Sequence, residues 1–371
     1  NARRTRAIVI KEGGPNSHSA ILAGAMDIPL VAATGLAQRN IPNGTPALLD
    51  GGTGRIVVNP GPEEKRKWRT TISRRRRHRK RVAQRVSRKP CRFGGEDVSI
   101  QASVTTYHDV LTAQRYGCHS IGLYRIEPFF MAGRVLPTED TLYQQLYESL
   151  QRGSVADATI RLLDVGGDKR LPYLPMEQPR HPLLGLRGVR QLIHHPNLLS
   201  SQLRVCLRLS AHFRIRILIP FVSLPHDVSI VKSYLRDAKQ ELKRGHVAFD
   251  ESVQVGAMVE VPAAVLALRE FCPHVDFVSI GTNDLIQYTM AADREDLSVA
   301  QYSEAGASLI SPSLRRVLDI ATSCNTECVL CGELAAEQGR IKDLLQMGFR
   351  TFSILPNKIP LVKDTILSLG S

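Results

Sequence analysis

From about residue 93 to its end the chain repeats one pattern, a short apolar run, a loop and a longer amphipathic stretch, and it does so eight times. The runs fall at residues 98–104, 120–124, 159–165, 215–221, 253–259, 277–281, 328–331 and 351–355. Short apolar runs bounded by turn residues read as buried strands, and the stretches between them have helical length. Eight strand–helix units in roughly 280 residues predict an α/β fold, a closed (β/α)8 TIM-type barrel with its chemistry at the C-terminal ends of the strands.

That expectation says where polar residues should gather. Arg125 and Glu127 follow the second run; Arg161 and Asp164 fall in the third, which continues into Asp168 and Lys169. Glu260 ends the fifth run, Asn283 and Asp284 follow the sixth, and Cys331 and Glu333 close the seventh. Arg187 and Arg294 lie on following loops. In SIGTNDLIQYT, residues 279–289, the run ends at a glycine and releases Thr282, Asn283 and Asp284 into a loop. An amide beside a carboxylate suits a hard cation that shares its oxygen donors with a phosphate; the same residues also suit an Asx-turn or a helix N-cap. Guanidinium forks match phosphate oxygens, so several arginines with two separated carboxylates point to a phosphate and divalent-metal site.

The net charge of +14 would point to nucleic acid if it covered a face. It does not. Residues 65–92 hold 15 Lys and Arg and no acid, and subtracting them from +14 leaves the remainder near −1. This segment has good helix formers, almost no apolar stripe and a proline at its end, which predicts an exposed helical linker. RNA, DNA and an anionic membrane are conceivable partners, but only Trp68 interrupts the charge, and without basic–aromatic interleaving a solvated connecting arm is the favoured reading over nucleic-acid binding.

Upstream, residues 7–10, 28–33, 46–50 and 55–58 read as strands of a small domain. A Gly-Gly-Pro turn leads into Ser17, His18 and Ser19 and then a helical apolar pattern, placing His18 near a helix N-terminus, where backbone N–H groups favour an anion. A histidine flanked by serines is more often a capping or surface residue. The expected division is 1–60 for this domain, 61–92 for the linker and 93–371 for the barrel.

With no apolar run near the roughly 20 residues of a membrane span, and no apolar leader after NARRTRAIVI, a cytoplasmic location is expected. Seven scattered cysteines fit a reducing compartment. The spacing Cys324, Cys328, Cys331 also occurs in iron–sulfur sites. A strand over 328–331 argues against that, because it would send Cys328 and Cys331 to opposite faces. The first residue, Asn rather than Met, is expected to mark a fragment or an unusual start.

The runs GGPNSHSAILA, GLYRIEPFFM, RLLDVGGDKRLPY, LLGLRGVR, VGAMVEVPAA, SIGTNDLIQYTMAADR and CGELA occur in this order. Together they make the chain resemble enzyme I of the phosphoenolpyruvate-dependent sugar phosphotransferase system, across almost its whole length. Several motifs in order are far more specific than one. The resemblance implies a partial phosphohistidine swivelling domain, a phosphoenolpyruvate-binding barrel and Mg²⁺ as cofactor. It implies that His18 is phosphorylated, that Arg125, Arg161, Asn283, Asp284 and Arg294 contact phosphoenolpyruvate, that Glu260 and Asp284 bind Mg²⁺, and that Cys331 gives the enolate its proton. It also implies a histidine-bearing phosphocarrier protein as partner and a homodimer through the barrel. Asn16, Ile126, Pro128 and the very basic linker depart from the family pattern, and the subdomain that docks the carrier has no counterpart here. A pyruvate,phosphate dikinase or phosphoenolpyruvate synthase relative, and a non-catalytic regulator that binds phosphoenolpyruvate and a polyanion, are the alternative readings.

Overall fold

The computed structural model of the chain describes residues 5–11, 23, 28–32, 41–87, 89–131, 133, 135–166, 171, 173, 181–294 and 296–370, without the side chains of 76, 78, 79, 182 and 297. Two small sheets come first. Strands β1 (Ile8–Ile10) and β2 (Leu30–Ala32) pair in parallel, and β3 (Ala47–Asp50) pairs antiparallel with β4 (Arg55–Val58).

A continuous helix, Pro62–Val86, follows. Proline sits in its first turn, where the missing N–H costs nothing, and Glu63 and Glu64 face the positive end of the dipole. The Gly61 N–H donates to Glu64 Oε2 at 3.1 Å. The helix is less free of apolar contacts than its composition predicts. Val82 and Val86 are buried, Arg85 pairs with Asp364, and Lys363 Nζ donates to the Ser87 carbonyl at 2.8 Å. Near its start, the Arg55 guanidinium lies 6.0 Å from the Trp68 ring and Arg75 pairs with Asp50 at 2.8 Å.

Strand β5 (Cys91–Phe93) makes a hairpin with β6 (Glu96–Val104) and opens the barrel. Then come β7 (Ser120–Arg125), β8 (Asp157–Arg161), β9 (Arg214–Ile219), β10 (Gln254–Val259), β11 (Phe277–Gly281), β12 (Glu327–Cys331) and β13 (Thr351–Ile354). Strands β6 to β13 lie in sequence order, all parallel, and β13 pairs back onto β6 with Thr351 opposite Ser99 and Ile354 opposite Ala102. The eight expected strands thus close the expected barrel. Its outer face packs Val, Ile, Leu and Phe against the helices, while a small inner cluster holds Leu123, Leu218, Met258, Phe277 and Cys331. Among the described residues, no helix is long and apolar enough to cross a membrane.

Two local expectations are corrected. The third run is ladder only as far as Arg161; residues 162–165 stay buried, but Gly166 bridges to Arg187 instead of the neighbouring strand. Thr282, Asn283 and Asp284 are not in a loop but form the first turn of a helix, Thr282–Met290. Gly281 is its N-cap, and the Asp284 carboxylate sits where the helix dipole favours negative charge.

Candidate active site at the barrel mouth

The strand ends bring together residues that are up to about 200 positions apart in the chain. Arg161, at the end of β8, is 4% exposed; its Nη2 donates to Glu127 Oε1 at 2.6 Å and its Nη1 lies 3.2 Å from Asp164 Oδ2. Burial works against the Arg161 charge, but Glu127, Asp164 and Glu260 outweigh it and hold the guanidinium firmly protonated. Its Nε is nevertheless buried without a hydrogen-bond partner.

Arg125, ending β7, donates through Nη2 to Ser103 Oγ at 2.9 Å, and no ion pair to a carboxylate is made by it among the described residues. Burial and the neighbouring Arg161 push its pKa down. Two guanidiniums that repel each other, one with no carboxylate of its own and one with an unused N–H, form a place that lacks an anion.

Beside them stands a second network. Arg187, 2% exposed, grips Asp164 with Nε to Oδ1 and Nη2 to Oδ2, both at 3.0 Å. It also donates to Asp284 at 3.1 and 3.2 Å and to Tyr288 Oη at 2.9 Å. Asp284 and Tyr288 are four residues apart on one helix and so share a face. The Phe221 ring lies 5.0 Å from the Arg187 guanidinium and packs edge-on against Tyr288. Arg294 adds a longer contact to Asp284, 3.6 Å.

Glu260, 1% exposed at the end of β10, accepts the Phe221 N–H at 2.7 Å through Oε1. Burial and the nearby Asp284 and Asp164 carboxylates push its pKa up to about 7. Burial would raise Asp284 too, but Arg187 and Arg294 outweigh it and hold that carboxyl below its ordinary value. Of the pair, Glu260 is the one that takes a proton. Close carboxylates under mutual repulsion are what a divalent cation relieves. Among the described residues no three His, Cys, Asp or Glu side chains form a metal cage. Two carboxylates therefore fit Mg²⁺, which completes its shell with water and substrate phosphate, better than a metal bound wholly by protein.

Cys331 ends β12 inside the barrel. Its thiol donates to the Ile280 carbonyl at 3.0 Å, Ser279 Oγ lies 3.5 Å away, and burial pushes its pKa up to about 11. Cys328, on the same strand, packs against the outer core instead, so the three-cysteine spacing does not gather its thiols. Asn283 Oδ1 accepts the Glu333 N–H at 2.9 Å, which fixes the amide and leaves its Nδ2 to donate.

Two glycines make room for this. A Cβ on Gly281 would stand 2.9 Å from Glu260 Oε2; one on Gly332, where φ is +95°, would stand 2.2 Å from Thr282 Oγ1 and 3.0 Å from Asn283 Oδ1.

Arg125, Arg161, Glu260, Asn283, Asp284, Arg294 and Cys331 thus all lie at C-terminal strand ends or the segments that follow them. His18, Asp168 and Lys169 lie outside the described residues. Tyr288 and Phe221 carried no sequence signal beyond the four-residue spacing of Tyr288 from Asp284.

Residues 79–370 match the family model described as "PEP-utilising enzyme, PEP-binding domain", and residues 1–54 match "PEP-utilising enzyme, mobile domain". The chain is similar to the phosphoenolpyruvate-protein phosphotransferase of Geobacillus stearothermophilus, with 34% identity over 386 residues, covering 100% of this chain and 67% of that protein. The Bacillus subtilis (strain 168) protein of the same name is 33% identical over 358 residues, covering 96% and 63%. Multiphosphoryl transfer protein 2 of Escherichia coli (strain K12) is 32% identical over 372 residues, covering 99% and 44%. The chain spans about two thirds of the length of the two phosphotransferases.

Proposed function

The chain belongs to the PEP-utilising enzymes, and from that premise we propose that it is a phosphoenolpyruvate–protein phosphotransferase acting on its own His18. The observation that carries the reading is the pair Arg125 and Arg161, neighbours across β7 and β8 at the barrel mouth, of which Arg125 makes no ion pair to a carboxylate among the described residues and Arg161 has an orphaned Nε. A small, highly charged phosphate ester answers both.

In this reading Arg125, Arg161 and Arg294 grip phosphoryl and carboxylate oxygens, Asn283 donates through Nδ2, and Arg187 holds Asp284 in place. Glu260 and Asp284 would hold Mg²⁺, which when bound neutralises charge on the phosphoryl and enolate oxygens. The lone pair of a His18 imidazole nitrogen forms the N–P bond while the P–O bond to the enol oxygen breaks and leaves its electron pair there. The Cys331 Sγ–H proton then passes to the methylene carbon of the enolate, giving pyruvate and a thiolate that water reprotonates. A thiol pushed up to about 11 still carries that proton at neutral pH.

The reading divides the chain into a phosphohistidine part at 1–60, a linker at 61–92 and a barrel at 93–371. It also makes a histidine-bearing phosphocarrier protein the next acceptor, sugar uptake the pathway, the cytoplasm the location and a barrel-mediated homodimer the assembly.

The test is incubation with ³²P-labelled phosphoenolpyruvate and Mg²⁺, with calorimetric titration of phosphoenolpyruvate in parallel. Acid-labile, base-stable label on His18 is expected, lost in His18→Ala while binding remains. Label retained in His18→Ala, or no phosphoenolpyruvate binding by the folded chain, overturns the reading.

A further inference from the structure

The helix Pro62–Val86 has two unlike sides. Advancing about 100° per residue, Trp68, Arg75, Val82 and Val86 fall within one arc of about 40°. These touch the rest of the molecule through Arg55, Asp50 and the buried packing of the two valines, and Arg85, on the flank between the two sides, pairs with Asp364. Arg69, Thr70, Ser73, Arg74, Arg77 and Arg81 fall on the opposite side, within an arc of about 140° centred some 180° away. All six are exposed. The basic side chains with ion pairs to described residues, Lys67, Arg75 and Arg85, are not among them.

Arg69 and Arg81 are 12 positions apart, about 18 Å of helix. Duplex nucleic acid carries one phosphate per roughly 1.7 Å of its axis, and the major groove of B-DNA admits an α-helix. We propose that this face binds the phosphate backbone of a nucleic-acid duplex, without sequence preference. Four guanidiniums and the Ser73 hydroxyl, with no carboxylate among them, are the complement of a phosphate row, while Thr70 Oγ1 already donates to the Arg66 carbonyl at 3.1 Å. A membrane-surface helix would need an apolar face for the acyl boundary, and the apolar residues here are either turned onto the rest of the molecule or, like Ile72, isolated. A single strand would need aromatic platforms, and this side has none.

The test uses the full chain and a fluorescein-labelled mixed-sequence DNA duplex, read by anisotropy. With about four phosphates neutralised, Kd should rise roughly 100-fold between about 50 and 200 mM salt. Arg69, Arg74, Arg77 and Arg81 all changed to Gln should abolish binding. Changing four exposed arginines of the barrel, Arg115, Arg152, Arg236 and Arg269, to Gln removes the same charge and should leave binding within about threefold. Equal losses in the two variants would show attraction to net charge alone and overturn the site. So would absent binding at low salt, binding that salt does not weaken, or capture only by phosphatidylserine vesicles. Circular dichroism melts confirm that both variants fold.

Discussion

The molecule holds two collections of arginine that composition cannot tell apart. Those of the barrel mouth, Arg161 and Arg187, are buried and gripped by Glu127, Asp164 and Asp284 at 2.6 to 3.2 Å. Those of the open face of the helix Pro62–Val86, Arg69, Arg74, Arg77 and Arg81, stand in water without a described partner. At the mouth the protein has already met the cost of desolvating the charges, so they are held in fixed directions in a medium where Coulomb forces are strong. On the exposed helix, water and salt screen each charge, and only many together hold a ligand. The first arrangement suits one small anion in one pose; the second suits a long one in any register.

The sharpest way to break this contrast is Arg187→Met. It leaves Asp164 and Asp284 buried without their shared partner and should cost about 3–5 kcal/mol of stability. A urea-unfolding loss under about 1 kcal/mol would mean that the network is not the fixed framework described.

Glu260 gives the next largest effect. Its folded-state value of about 7 lies above the ordinary 4.5, so the folded chain holds this proton more tightly than the unfolded one. The sign follows: stability is greatest below about pH 4.5 on this account and falls as pH rises through 7, by about 3 kcal/mol in all. Glu260→Gln should flatten that slope between pH 5 and pH 8. Mg²⁺ at pH 8 should restore stability to the parent chain and not to the variant; equal Mg²⁺ effects on both would remove Glu260 from the metal site.

The two cysteines of β12 sharpen the contrast between inside and outside on a single strand. Cys331→Ala should slow pyruvate release roughly 10²-fold, the scale of a lost proton donor, while phosphorylation of His18 is slowed less. Cys328→Ala, on the outer face, should leave both rates unchanged. The smallest effect is expected where charge is densest. Arg69, Arg74, Arg77 and Arg81 changed to Gln should shift stability by under about 0.5 kcal/mol, in keeping with exposed positions. A larger loss would reveal ion pairs that fasten this face to the chain.

Much of this was legible in the residues. Eight apolar runs with helical spacers have few closed solutions, and strand ends are where a barrel displays polar groups, so Arg125, Arg161, Glu260 and Asp284 stood out by position alone. Less legible was which of them touch. The grip of Arg187 on Asp164 and Asp284 joins residues 23 and 97 apart, a distance set by barrel closure and invisible to any local pattern. The first turn at Thr282–Asp284 read as a loop because Gly281 punctuates the run; in the structure that glycine caps a helix. The linker's packed side was missed because two valines, four residues apart, are too faint a stripe to register among so many charges.

Gly281 and Gly332 carry a consequence for inheritance. Neither has a functional group, yet a single methyl at Gly281 would push into Glu260, and one at Gly332 into Thr282 and Asn283. A glycine codon becomes an alanine codon by one base change. A lineage could therefore lose this chemistry while keeping every arginine, carboxylate and thiol that performs it, and a survey that scored those groups alone would count the descendant as intact.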